Sequence, residues 1–225
     1  MISACAALAA HADNSVLILA KASFTTNTRI FYNTNIPSPF ADMTNVSSNF
    51  GYGAEIRVCT PWERWFVGLA IERIKGSRED PMLYNSPFGQ MLVNRTDGYE
   101  LMPIEVSGYY SVPISSNTFV FYLGGGIGYY SGKRNYSLAG IQSRSTGTNS
   151  TLGIHVSTGL RWMITPWLGI DGHLRFRDPQ ISAVNVFDQP WVVIDRVRVP
   201  LSQEPSHTQI NLNGINYSAG LAIVF

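Results

Sequence analysis

The stretch "FVFYLGGGIGYY", residues 119–130, repeats with a period of two. Phe121, Leu123, Ile127 and Tyr129 fall on one face, and Tyr122, Gly124, Gly126 and Gly128 fall on the other. Strict alternation of this kind is the signature of a strand buried on one face only. The stretch also shows what lies on each face: one is large and apolar, the other is cut down to glycine. What fills the space left by those glycines decides the fold.

The same pattern recurs along the chain. "NFGYGAEIRV" sets Phe50, Tyr52, Ala54, Ile56 and Val58 against Gly51, Gly53, Glu55 and Arg57, and "WFVGLAIERI" sets Trp65, Val67, Leu69 and Ile71 against Gly68, Ala70 and Glu72. "LMPIEVSGYYSV" places Met102, Ile104, Val106 and Tyr110 opposite Glu105 and Ser107. With "VLILAKASF" (16–24), "TLGIHVSTGLRWM" (151–163), "LGIDGHLRFRD" (168–178) and the closing "GINYSAGLAIVF" (214–225), eight strands are expected. The connections alternate between long and short. Polar stretches rich in Asn, Ser, Thr, Pro and Gly read as long loops over about 25–48, 75–97, 131–150 and 179–208. "CTPWER", "PISSNT" and "ITPW" read as short turns. In the fourth loop "PWVVIDRVRVPL" alternates again, so strands are expected to extend beyond the barrel wall there.

Composition narrows the class. Only 14% of the residues are charged, against about 25% in an average soluble domain. The net charge of +1 gives no electrostatic case for nucleic acid. No apolar run reaches the roughly 18 residues of a transmembrane helix. "MISACAALAAHADNS" reads as the remnant of a secretory signal peptide over residues 1–12, with cleavage after Ala12 and a barrel domain over 13–225. A lipobox around Cys5 fits poorly, because apolar residues continue after it. Cys59 then stands alone in the mature chain, with no sign of a thiolate nucleophile or a metal site.

Alternation alone does not separate a soluble barrel from a membrane barrel, since the two differ in which face points inward. The polar face carries Lys21, Arg57, Arg161, Arg175 and Arg177 with Glu55, Glu72, Glu105 and Asp171, beside His155 and His173. These charges nearly balance, as buried charges must, and glycines leave room for long side chains in a narrow eight-stranded interior. Turned toward lipid, each Arg would cost about 2–4 kcal/mol near the bilayer midplane. Trp62, Trp65, Trp162, Trp167, Phe119, Tyr129 and Tyr130 gather near strand ends, as interfacial girdles do. The expected fold is therefore all-β, an eight-stranded antiparallel up-and-down transmembrane β-barrel with short turns at one end and four long loops at the other.

In the order and spacing of "FVFYLGGGIGYY", "TLGIHVSTGLRW", "TPWLGIDGHLRFR" and "YSAGLAIVF", the chain resembles the small eight-stranded outer-membrane barrels of Gram-negative bacteria, of the OmpW/OmpX-like and opacity-protein type. The resemblance implies an integral outer-membrane protein with periplasmic termini, three short periplasmic turns and four long extracellular loops. It also implies that Tyr217, Leu221, Ile223 and Phe225 form the C-terminal signal read by the insertion machinery. The implied partners are outer-membrane lipid and lipopolysaccharide, that machinery, and an extracellular partner met through the loops.

No enzyme is expected, and neither a cofactor nor a metal. "LGGGIG" lies inside a strand with no helix after it, so it does not cradle phosphate. His155 and Ser157 share a strand face, and outer-membrane lipid A deacylases use a His-x-Ser pair. Here Thr158 follows where that family usually has Asn, and parity with Gly153, Gly159 and Arg161 turns the pair inward. A histidine paired with Asp171 or Glu105 is the simpler expectation. His155 and His173 could approach across neighbouring strands, but without a third ligand they make a weak metal site. Two non-enzymatic readings follow: a plugged anchor presenting its loops for adhesion, partner contact or envelope integrity, and, as the alternative, passage of a small hydrophobic molecule.

Overall fold

The computed structural model describes residues 16–32, 43–46, 49–62, 64–86, 89–116, 118–147, 149–194 and 196–225. The signal-peptide remnant expected over 1–12 lies outside the described residues. Eight long strands form the wall: β1 (Val16–Thr25), β2 (Asn49–Cys59), β3 (Trp65–Ser86), β4 (Gly89–Ser111), β5 (Phe119–Leu138), β6 (Asn149–Met163), β7 (Leu168–Arg177) and β8 (Gly214–Val224). Each pairs antiparallel with its neighbour in sequence, and β8 pairs with β1, opposing Ile18 to Ile223 and Ala20 to Leu221. Eight strands joined by eight ladders make a closed ring. Closure leaves no unpaired edge, which a strand surrounded by hydrocarbon requires.

The period of two sorts the side chains cleanly. On β2, Phe50, Tyr52, Ile56 and Val58 are exposed on the outer wall while Glu55 and Arg57 are buried in the lumen. The other staves behave alike, so the outer surface is a continuous apolar band and the lumen holds the polar residues. Trp62, Trp65, Trp162, Trp167 and Phe119 are exposed at the short-turn end of that band. Tyr129 is exposed on the outer wall, but Tyr130 is wholly buried in the lumen, so it does not belong to a girdle. Its neighbour in sequence takes the outer position, and a period of two allows only one of them to do so.

Two stretches read as loops are strand. β3 and β4 continue past the apolar band with Lys75 opposite Glu100, Arg78 opposite Asp97 and Ser86 opposite Gly89, and β5 runs on to Leu138 before turning at Ala139 and Gly140. Their polar composition reflects water on the outer face and not irregular backbone. The other long connections also hold strands, over Thr28–Tyr32, Met43–Val46, Gln180–Val186 and Ser206–Asn211. With Arg144–Ser145 these form a second, five-stranded sheet. The hairpin of Trp191–Ile194 with Val197–Pro200 lies beyond it, where "PWVVIDRVRVPL" alternates.

This second sheet continues β1, β7 and β8 beyond short breaks at Thr26–Asn27, Asp178–Pro179 and Leu212–Asn213. Its apolar face meets the open end of the barrel. Ile30, Val46, Ile181, Ala183, Ile210 and Leu212 pack with Ile74, Tyr99, Leu101 and Tyr130 of the wall in one buried cluster. Burying an Ile or Leu side chain contributes about 1.5–3 kcal/mol, so the cap is a packed structure in its own right. A second cluster above it joins Val93, Leu138, Phe187 and Leu201.

Candidate functional site

The lumen is filled in layers, and strand register sets each one. At the short-turn end Leu17, Leu19 and Ala222 form an apolar floor. Above it Phe66 stacks on Tyr109 with ring centroids 5.0 Å apart, and Tyr122 meets Tyr109 edge-on at 5.5 Å. The Arg57 guanidinium lies over Tyr109 and Tyr122, at 4.5 and 4.7 Å from their centroids. Its Nε donates to Glu55 Oε1 at 2.6 Å, and its Nη1 reaches Asp171 Oδ2 at 3.4 Å. Asp171 also accepts from Arg161 Nε at 3.1 Å and from the Tyr122 hydroxyl at 2.6 Å. Arg161 stands opposite Asp171 in the β6–β7 ladder, so backbone register alone brings this pair together.

The next layer is centred on Glu105 and Glu72. Glu105 is paired with Arg175 and accepts from the Tyr130 hydroxyl at 2.8 Å. Arg177 Nη2 donates to Glu72 Oε2 at 2.8 Å, and the Ser23 hydroxyl donates to the other oxygen of Glu72. Lys21 Nζ donates to Glu55 Oε2 at 2.9 Å, with Arg175 Nη2 3.8 Å from the same oxygen. Five cations thus meet four carboxylates, all nearly wholly buried. Above them Tyr99 donates to Asn49 Oδ1 at 2.7 Å, and the cap follows.

The histidines take other partners than the expected ones. His155 Nε2 shares a 2.8 Å hydrogen bond with the Ser107 hydroxyl and not with Glu105; both residues stand opposite Gly126 of β5, so the contact passes over that glycine. Ser157, also buried, makes no hydrogen bond through its hydroxyl among the described residues. His173 stands opposite Gly159 in the ladder and rests against the rings of Tyr109 and Tyr122 at 6.3 and 5.8 Å. Register therefore keeps His155 and His173 four positions apart along β6, too far to share an ion. Among the described residues no group of three or more His, Cys, Asp or Glu side chains is arranged to hold a metal.

Sequence reasoning set Tyr122 on the glycine face, as the structure does, but gave it no role there and missed Tyr109 and Tyr130 in the lumen. The spaces at Gly124 and Gly159 hold tyrosine rings and not arginine side chains: an added Cβ would lie 2.3 Å from Tyr109 at the first and 2.2 Å from Tyr122 at the second. Tyr109, Tyr122 and Tyr130 supply the hydroxyls that complete the carboxylates. Parity with Glu105 and Ser107 marks Tyr109 as inward, which was the available signal.

Outside the lumen three features stand out. Tyr217, Leu221, Ile223 and Phe225 are exposed on the outer face of the last strand, and the Phe225 amide donates to the Val16 carbonyl at 2.9 Å. In the wall, β6 and β7 part above the pair His155–Arg177, because Pro179 follows two residues on and offers no N–H to a ladder. A groove of about 530 Å³ opens there, lined by Ile154, Val156, Phe176 and Ile215 with His155 and Arg177 at its base. In the cap, Asp97 and Arg134 form a buried pair against Tyr32. Burial, reinforced by the adjacent Asp97 carboxylate, pushes the Tyr32 phenol up to about 12.

Among solved structures the chain is similar to the outer membrane protein OprG from Pseudomonas aeruginosa, with a TM-score of 0.57 at 12% identity, over 96% of this chain and 97% of that one. The chain has the fold of a small bacterial outer-membrane β-barrel. Neisserial surface protein A gives a TM-score of 0.49 at 14% identity, over 92% of this chain and 96% of that one. Ail of Yersinia pestis, in complex with the heparin analogue sucrose octasulfate, gives 0.44 at 12% identity, over 94% and 98%. No family model and no curated protein matches the chain. At these identities the likeness speaks for the fold. The closed ladder, the apolar outer band and the charged lumen are those of an integral outer-membrane barrel.

Proposed function

We propose that the protein is a non-enzymatic, plugged outer-membrane anchor that presents a folded extracellular cap for adhesion, partner contact or envelope integrity. The observation that carries this reading is the continuous filling of the lumen, from the Leu17–Leu19 floor through the ion-pair layers to the cap. In this reading the termini are periplasmic and the cap faces the medium. The charge network of Glu55, Arg57, Glu72, Glu105, Arg161, Asp171, His173, Arg175 and Arg177 holds the barrel shut and rigid. Tyr217, Leu221, Ile223 and Phe225 serve as the recognition end for the insertion machinery. Planar-bilayer recording tests the plug: the expected trace is silent, and steady single-channel currents overturn it. Deleting residues 185–205 should remove surface interactions of the cells while leaving insertion intact.

A second reading, passage of a small apolar molecule, is favoured by the groove where β6 and β7 part, since it is lined by apolar side chains and reaches His155 and Arg177. Uptake of an apolar fluorophore into proteoliposomes, abolished by Val156→Arg in the groove, would support it. A deacylase is disfavoured by the burial of Ser157 and by the bond from His155 to Ser107. Loss of a lipid A acyl chain that depends on Ser157 would reinstate it.

A further inference from the structure

The outer wall changes character at one height on three adjacent staves. On β3 the outward residues run Trp65, Val67, Leu69 and Ile71, then Arg73 and Lys75. On β4 they run from Val106 through Ile104 and Met102 to Glu100, and on β5 from Ile127 through Tyr129 and Ser131 to Lys133. The sheet register places Lys75 directly opposite Glu100, and Glu100 directly opposite Lys133. Ten residues separate Trp65 from Lys75, about 33 Å of strand. With a tilt of about 40° this is about 25 Å along the barrel axis, the full height of a lipid-facing apolar band. The charged row therefore begins where hydrocarbon gives way to headgroups, at the end of the barrel that carries the cap.

Three cations in this row share one carboxylate. Arg73 is bonded to Glu100, while Lys75 and Lys133 lie at 3.9 and 3.8 Å from its two oxygens, at the outer limit of an ion pair. All three cationic side chains are about half exposed, and Glu100 is mostly covered. The patch carries a surplus of two positive charges; Arg73 is held by Glu100 and the Tyr52 hydroxyl, while Lys75 and Lys133 keep about half of their side chains exposed. Between the staves a groove of about 300 Å³ is lined by Arg73, Glu100, Met102, Ser131 and Lys133. It opens on the lipid-facing band at Met102 and on cationic side chains at Arg73 and Lys133.

We infer that Arg73, Lys75 and Lys133 form a binding site for the phosphomonoester headgroup of an anionic glycolipid in the leaflet that surrounds the cap. Ammonium and guanidinium groups offer the charge-assisted donors that phosphate oxygens take. The Met102 side of the groove receives the first carbons of the acyl chains. Glu100 holds the cations in place and tempers their charge, so that the site binds a dianion without presenting a bare cationic surface. The inference rests on the membrane reading of the barrel but not on the plugged lumen, and conductance plays no part in its test.

The test is thermal unfolding and native mass spectrometry of the purified barrel in nanodiscs containing bisphosphorylated lipid A or the same lipid with its phosphates removed. The phosphorylated lipid should raise the unfolding temperature and remain bound. Lys75→Gln with Lys133→Gln should weaken that binding by on the order of tenfold or more, since each Lys near an anionic surface contributes severalfold. Both side chains are solvent-facing, so the fold is not at stake. Glu100→Gln should strengthen binding, and raised salt should weaken it. Equal stabilisation by both lipids, or an undiminished preference in the double variant, overturns the site. So does inorganic phosphate that competes as well as the lipid does, or a dimer of this chain that the double variant abolishes.

Discussion

Arg134 grips Asp97 through two hydrogen bonds, Nε to Oδ1 at 2.8 Å and Nη2 to Oδ2 at 2.6 Å, with both side chains almost wholly buried above the barrel. The guanidinium lies between the rings of Tyr32 and Tyr136, at 5.0 and 4.3 Å, and the Tyr32 hydroxyl donates to the same carboxylate at 2.5 Å. One pair thus ties the strand Thr28–Tyr32 of the cap to β4 and β5. Removing one partner of a buried pair leaves the other uncompensated and costs about 3–5 kcal/mol. Asp97→Asn should therefore speed amide exchange across Thr28–Tyr32 and Ser206–Asn211 while leaving β1 and β8 protected. Unchanged exchange in the cap would show that the apolar cluster alone holds it.

The same contact makes the cap sensitive to alkali. Burial and the Asp97 carboxylate raise the Tyr32 phenol from its ordinary value near 10 to about 12. Below pH 10 the phenol is protonated in both folded and unfolded chains, and its contribution to stability is fully present. Between pH 10 and about 12 the unfolded chain ionises while the folded one must keep its proton, so stability falls through that window. Exchange of the cap amides should rise over this range, and Tyr32→Phe should flatten the rise. A rise identical in the two proteins would assign it to other groups.

Where the period of two is strong, the chain could be read directly. The inward and outward residues of "NFGYGAEIRV" and "FVFYLGGGIGYY" separate in the structure as they separate in the string. Beyond the band the signal fades for a physical reason. Residues 75–86 and 89–97 are paired strand with water on the outer face, so nothing forces them to be apolar, and their composition resembles that of a loop. Parity also says which residues share the lumen but not which of them touch. His155 meets Ser107 because both stand opposite Gly126 of β5, a register that parity along one strand does not supply. The aromatic filling beside Gly124 and Gly159 is a matter of volume, and volume is visible only once the staves are in place.

Glu105 is the acceptor on which two arginines converge, with Arg175 paired to one oxygen and Arg177 Nη1 at 3.6 Å from the other. Glu105→Gln removes the charge and keeps the shape, leaving two like charges close together among buried side chains. The expected cost is about 3–5 kcal/mol, read as a lower temperature for the shift in electrophoretic mobility that accompanies barrel unfolding in detergent. Replacing Arg175 with Met in the same chain should recover part of the loss, because coupled partners are not additive. A double variant whose loss equals the sum of the two single losses would argue that the pair acts independently.

Gly159 tests the packing and not the charge. A methyl group there would lie 2.2 Å from the Cζ and hydroxyl oxygen of Tyr122, and the ring has little room to retreat. It donates to Asp171 at 2.6 Å, supports Arg57 at 4.7 Å and meets Tyr109 edge-on. Gly159→Ala should therefore displace the ring, weaken the Asp171 contacts and cost about 1–3 kcal/mol, as overpacking does. Gly108→Ala is the matched control: it adds the same methyl to the same barrel where nothing lies within 4 Å, and it should change stability by less than about 0.5 kcal/mol. Shortening Tyr122 to Val should make Gly159→Ala nearly neutral in that background, since the atoms it would strike are gone. If Gly159→Ala and Gly108→Ala cost the same with Tyr122 intact, the ring does not fill the space that the glycine leaves.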